Sequence, residues 1–199
     1  MGAALDRTGT SARPDAGLPD LEAALHAARS GSEAGFVALY RDLQPRLLRY
    51  ATALVGADAE DVTAETWLQV ARDLHGFRGD LDGFRGWAST ICRNRAMDLA
   101  RARARRPSDP TELEFLTERP GQADTAGTAL DTLSTEAAVA MIARLPRDQA
   151  EAVLLRAVVG LDAATAGAVL GKSAGAVRVA AHRGLKRLAR ELEARGARA

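Results

Sequence analysis

The chain has 199 residues, a formal net charge of +1, 47% apolar but only 4% aromatic residues and abundant alanine, which suits one large or two small helical domains rather than a β-rich core. A lone cysteine, Cys92, excludes an internal disulfide or a multi-thiolate metal site, and His26, His75 and His182 lack ligand spacing, so no metal or other cofactor is expected. Without an apolar N-terminal leader or a run approaching the ~20 apolar residues of a membrane span, the chain reads as soluble and cytoplasmic, with no membrane insertion. Residues 1–19 mix Gly, Ala, Pro, Ser, Thr and Asp without periodicity and read as a disordered arm. A short helix is predicted from Leu21 to Arg29, ending near Gly31. A longer one follows Ser32, with Phe36, Leu39, Tyr40, Leu43, Leu47, Leu48, Ala51 and Leu54 inward; Pro45 is expected to bend or interrupt it. Asp58 is placed as the cap of the next helix, on which Val62, Thr66 or Trp67, Val70 and Leu74 recur at helical spacing. After the loop His75–Asp80, a helix from about Gly83 to Arg106 turns Phe84, Trp87, Ala88, Ile91, Cys92 and Leu99 to one side. These helices make a first domain over 20–106.

From Pro107 the character changes. Pro107, Pro110, Pro120, Gly121 and Gly127 break every period, so 107–132 reads as a flexible linker. A second helical domain over 133–193 follows, with Val139, Ile142 and Leu145 before a break at Pro146, then Ala152 to Val158, and a tail at 194–199. No strand pattern and no internal repeat is visible. The fold class expected is therefore all-α, two helical domains joined by a linker.

Charge divided by segment is more informative than its sum. Asp58, Glu60, Asp61 and Glu65 form an acidic stretch without a cation. Arg85, Arg93, Arg95, Arg101, Arg103, Arg105 and Arg106 face only Asp98, and from Lys172 to Arg198 eight Lys or Arg stand against Glu191 and Glu193. One acidic helix and two basic ones suggest more than one charged partner. Near the C-terminus, Ala163, Ala166, Val169 and Leu170 form one stripe; Gly171 suits a left-handed C-cap and Ser173 an N-cap. Val177, Ala181, Leu185 and Leu188 then form the expected buried face of a second helix whose other positions carry Arg178, His182, Arg183, Lys186, Arg187 and Arg190. Two helices, a glycine turn and a basic second helix describe a helix-turn-helix, whose second helix enters a DNA major groove.

These motifs together resemble the extracytoplasmic-function (ECF, group 4) RNA polymerase sigma factors. Ala59-Glu60-Asp61-Val62-Thr63-Ala64-Glu65-Thr66-Trp67-Leu68 is similar to that family's polymerase-docking helix. Phe77-Arg78-Gly79, Phe84-Arg85-Gly86-Trp87 and Ile91-Cys92-Arg93-Asn94-Arg95-Ala96-Met97-Asp98 resemble its promoter-melting segment. Leu145-Pro146-Arg147-Asp148-Gln149, Leu154-Leu155-Arg156, Gly175-Ala176-Val177-Arg178 and His182-Arg183-Gly184-Leu185 resemble its domain four. The likeness covers about 36–192, interrupted at the linker.

The resemblance implies that 20–106 is sigma domain two and 133–193 sigma domain four. It implies an alternative sigma factor that binds core RNA polymerase, through the β′ clamp helices and the β subunit, and directs initiation on promoter DNA under the control of an anti-sigma protein. Asp58, Asp61, Glu65 and Leu68 are the expected polymerase contacts; Asp61 and Glu65 lie one turn apart and can meet one surface. The family usually has Gln where Ala64 stands. Asn94 is the expected reader of a flipped −10 base, because an amide offers both donor and acceptor to a base edge. Arg93, Arg95, Arg101 and Arg105 are expected to hold phosphates. Trp87 suggests stacking on unpaired bases, but its place beside Phe84, Ala88 and Ile91 favours the core. For the −35 element, Arg178 comes first, with Ser173, His182, Arg183 and Lys186; Val179-Ala180-Ala181 stands where relatives carry polar side chains.

Two rivals are weighed against this. Gly167 to Ser173 brushes against a phosphate-binding loop, but has three residues between its glycines instead of four and follows a helix, so no enzyme is expected. A stand-alone helix-turn-helix regulator of duplex operators explains the C-terminal domain and leaves Asp61, Glu65 and Asn94 unused.

Overall fold

Asp20 opens the first helix: its carboxylate accepts from the backbone N–H groups of Glu22 and Ala23 at 3.1 and 3.2 Å, satisfying donors that a helix start leaves unpaired. The computed structural model describes residues 20–105 and 137–196. The predicted arm, the linker and the first residues of the second domain (133–136) lie outside the described residues. The first bundle comprises α1 (Leu21–Arg29), α2 (Glu33–Val55), α3 (Ala59–Asp73) and α4 (Leu81–Ala104). The second comprises α5 (137–143), α6 (Arg147–Val153, continued by a π-helical turn over Leu154–Val159), α7 (Ala163–Leu170) and α8 (Ala174–Gly196). No strand occurs among the described residues, and the all-helical two-domain expectation holds.

The first core is built from Leu39, Leu43, Leu47 and Tyr50 of α2, Val62, Trp67 and Val70 of α3, and Phe84, Ala88 and Cys92 of α4. Trp67 hands its indole N–H to Gln44 at 2.6 Å, so its polar end is satisfied inside the core. Trp87 stacks on Phe77 with ring centroids 5.2 Å apart, and Phe77 meets Phe84 edge-on at 5.9 Å. That aromatic trio pins the loop before α4 and packs Trp87, half-buried, against the core.

Cys92 is wholly buried, and burial pushes its thiol up to about 12. Because the thiolate is the reactive form, Cys92 should resist alkylation at pH 8 in the native protein and react stoichiometrically once guanidinium unfolds it. Rapid native labelling would contradict its placement between α2 and α3.

Four expectations are corrected. α2 runs unbroken through Pro45, which is exposed; the ring and the Arg41 carbonyl it leaves unbonded face water, which can take that hydrogen bond. Tyr40 is not inward but 41% exposed, leaning on Trp67 at 4.9 Å. Asp58 makes no side-chain cap for α3; it ends a 3-10 turn, and its carboxylate pairs with Arg103 of α4. On α8 the buried line runs Val177, Ala181 and Gly184, whereas Leu185 is 51% exposed and Leu188 only half-buried. The reason is Gly184: a Cβ there would lie 2.8 Å from Val153 Cγ2 and 3.2 Å from Leu145 Cδ1, so α8 approaches α6 through bare backbone. α8 continues to Gly196.

Candidate docking and nucleic-acid interfaces

On α3, the buried positions Val62, Thr66, Trp67 and Val70 leave Asp61, Ala64, Glu65 and Leu68 facing outward on one side. Leu68 is 70% exposed and lines a shallow depression with Glu65, Arg72 and Arg95. An exposed leucine flanked by carboxylates is a surface for an apolar ridge carrying cations. Asp58, just before α3, pairs with Arg103 of α4.

α4 carries the second set. Successive helical residues are about 100° apart, so Arg93 and Arg95 leave opposite flanks and Asn94 points outward between them. Asn94 is exposed. Arg95 donates to Glu65 at 3.2 Å and to Gln69 at 3.1 Å, which ties a predicted phosphate ligand to the predicted docking face. This half-exposed pair is worth about 0–1 kcal/mol, so it can be exchanged for other partners. Arg93 turns the other way and donates through Nε to Glu151 of α6 at 3.0 Å. Arg101 pairs with Asp98 at 2.9 Å on the exposed surface, and Arg105 is exposed without an ion pair among the described residues.

The C-terminal helix pair has the geometry its sequence implies. Asp162 caps α7 by accepting from Thr165 N at 2.6 Å, and that bond holds its carboxyl below the usual aspartate range. Gly171 ends α7 with φ +64°, and Lys172 N returns to Gly167 O at 2.9 Å. Ser173 Oγ accepts from Ala176 N at 3.2 Å and starts α8. Ser173 is thus a cap, a structural role beside the predicted DNA contact. Gly167 was missed by sequence reasoning: a Cβ on it would lie 2.6 Å from Lys172 O, so only glycine lets the turn fold back this closely. The Lys172–Asp148 bridge at 2.7 Å fastens the turn to α6 and lowers the Asp148 carboxyl. Both depressed carboxylates support the fold above the ordinary aspartate range, and that support disappears as the pH falls through their lowered values.

Arg178, His182, Arg183 and Lys186 are exposed along α8 and make no ion pair among the described residues. Of the apolar run beside them, Ala181 is core and Ala180 half-buried, so Val179 at 50% exposure is the part free to touch a ligand. No helix among the described residues is long and apolar enough to cross a membrane, and none of their acidic, His or Cys side chains cluster to hold a metal ion.

A helical bundle with an acidic-apolar helix, followed by a helix-turn-helix with a free cationic face, is the arrangement of a two-region transcription initiation protein. Residues 39–106 match the family Sigma-70 region 2, and residues 135–188 match Sigma-70, region 4. ShbA, an ECF RNA polymerase sigma factor of Streptomyces griseus, is 34% identical over 83% of this chain and 92% of its own length. BldN, an ECF RNA polymerase sigma factor of Streptomyces coelicolor, is 32% identical over 83% of this chain, which spans 63% of BldN. The sigma factor RpoE of Bartonella quintana, solved with the anti-sigma factor NepR, shares the fold with a TM-score of 0.60, covering 77% of this chain and 94% of its own, at 24% identity. The chain belongs to the ECF RNA polymerase sigma factors. As an alternative sigma factor it binds core RNA polymerase and directs promoter recognition and transcription initiation; the stand-alone regulator is not favoured, because both sigma regions are present in order.

Proposed function

We propose that Asp61, Glu65 and Leu68 dock on the β′ clamp helices of core polymerase, that Asn94 captures a flipped −10 base, and that Arg178, His182, Arg183 and Lys186 read the −35 duplex. The observation that carries this is the separation of two unlike exposed faces on one chain: an acidic-apolar patch on α3 and a cationic face on α8. Arg93, Arg95, Arg101 and Arg105 supply phosphate contacts around Asn94, and Asp58 braces α3 against α4 through Arg103. Extruding a base costs a few kcal/mol of stacking, which contacts at Asn94 and the flanking arginines offset. The division into sigma domain two over 20–106, a linker over 107–132 and sigma domain four from 133 follows the same reading. The chain itself catalyses nothing; it directs catalysis by polymerase, in the cytoplasm. An anti-sigma partner, of the kind NepR is for RpoE, restrains it.

The −35 assignment separates two kinds of contact. Arg178, five residues after the Ser173 cap, suits a bidentate bond to guanine, whereas Lys186 one turn beyond His182 suits a phosphate. Arg178→Ala should lose about 1–3 kcal/mol of discrimination at one base pair of the −35 duplex. Lys186→Ala should weaken all sequences alike and lower the salt slope by about one. Fluorescence anisotropy on a set of single-substituted duplexes checks this. Identical, sequence-blind losses for both variants would remove Arg178 from base reading.

A further inference from the structure

Four glycines lie from Gly167 to Gly184, and the packing of the protein itself explains three of them. At Gly167 and Gly184 a Cβ would meet neighbouring atoms at 2.6 and 2.8 Å, and Gly171 turns the chain at φ +64°. Gly175 has neither reason. Its φ is not left-handed, and a Cβ on it would meet nothing nearer than Ser173 Oγ at 3.9 Å. Glycine also weakens a helix. What its bare backbone leaves clear is the surface of α8 turned away from the protein.

The centre of that surface follows from the buried line. At about 100° per residue, the direction opposite Val177, Ala181 and Gly184 passes closest to Val179 and Lys186, each within roughly 20° of it. Arg178 and Arg183 leave on the two flanks, roughly 90° and 50° away. Lys186 lies two turns beyond Val179, whereas a recognition helix meets base edges with its N-terminal residues. The side chain aimed most directly outward at that end is therefore apolar. Val179 is 50% exposed and takes no part in the core. Its branched Cβ holds one rotamer in a helix, so its methyl groups have a fixed direction.

The major groove presents donors, acceptors and one apolar group, the C5-methyl of thymine. A valine neither donates nor accepts, so the methyl is the group it distinguishes. We infer that Val179 reads a thymine of the −35 duplex through its C5-methyl, and that Gly175, one turn earlier, is a positioning residue whose bare backbone lets α8 seat closely enough for the contact. This rests on the −35 role proposed for α8, and it adds a base that none of the cations selects.

Deoxyuridine differs from thymidine only by that methyl, which makes the test direct. Core polymerase carrying the full chain is bound to a promoter duplex recovered by run-off transcription, and each −35 thymine on either strand is replaced in turn by deoxyuridine. At one position the wild type should bind about three- to fivefold more weakly, the worth of one methyl returned to water. Val179→Ala should bind the thymine duplex about as weakly and be indifferent to deoxyuridine at that position. A loss at no thymine, or an equal loss in Val179→Ala, would overturn the inference while leaving α8 as the −35 reader. Gly175→Leu separates positioning from folding. It should melt no lower than the wild type, because leucine is the better helix former, yet lose −35 binding together with the sensitivity to deoxyuridine. Undiminished −35 binding by Gly175→Leu would remove the positioning role. A holoenzyme with no −35 preference of any kind would overturn the −35 role of α8 itself, and the thymine contact with it.

Discussion

The double variant Asp61→Arg, Leu68→Glu should fold like the wild type and fail to bind core polymerase. Leu68 is 70% exposed and Asp61 is exposed, so neither contributes to the core. Surface changes of this kind typically move stability by less than about 0.5 kcal/mol. At an interface the same side chains behave differently. An apolar anchor buried on docking carries about 2–4 kcal/mol, and on the docking proposed for this face Asp61→Arg turns an attractive charge into a repulsive one. A loss of about 3 kcal/mol is more than a hundredfold in affinity. Thermal melting by circular dichroism, beside titration of labelled core polymerase, separates the two effects. Unchanged affinity with an unchanged melting curve would mean that the exposed face of α3 is not the docking surface.

Phe84→Ala should have the largest effect on folding. Phe84 is 1% exposed and packs between Phe77 and Trp87 at the start of α4. Removing a buried phenyl ring costs about 3–5 kcal/mol in transfer energy and residual cavity, a large share of the roughly 5–15 kcal/mol that holds a domain folded. α4 is the wall shared by α2, α3 and α7, so the loss reaches Asn94 and the contact between bundles together. Guanidinium unfolding should show the midpoint falling by roughly 0.6–2.5 M, on the order of ΔΔG divided by a slope of about 2–5 kcal/mol per molar. A shift no larger than that of an exposed-site control such as Arg101→Ala would contradict the packing described for the Phe77–Phe84–Trp87 cluster.

Local chemistry made much of this legible in the sequence. The turn between α7 and α8 needed only Gly171 for a left-handed cap and Ser173 for the next start, and both act as such. The α3 stripe was readable because Val62, Thr66, Trp67 and Val70 repeat at helical spacing, which left Asp61, Glu65 and Leu68 to solvent. What escaped depends on tertiary approach. Leu185 looks like core by hydropathy, but Gly184, which has no hydropathic weight, is where α8 meets α6. Pro45 reads as a breaker unless one knows that Arg41 and Pro45 face water. Asp58 reads as a cap because nothing in its neighbourhood announces Arg103, 45 residues later in the chain. Arg93 and Glu151 are separated by 58 residues, and no periodicity encodes their pairing. The assignment of family came from the order of several motifs, none decisive alone, and the matched regions at 39–106 and 135–188 bracket the same segments.

Run-off transcription from a genomic promoter library, with bacterial core polymerase in the presence and absence of the protein, tests the central claim most directly. Transcripts that appear only with the protein, share a −10 and −35 pattern, and vanish with Asn94→Ala or Asp61→Ala are the predicted result. A folded protein that yields no new transcript with a matched core polymerase would contradict it.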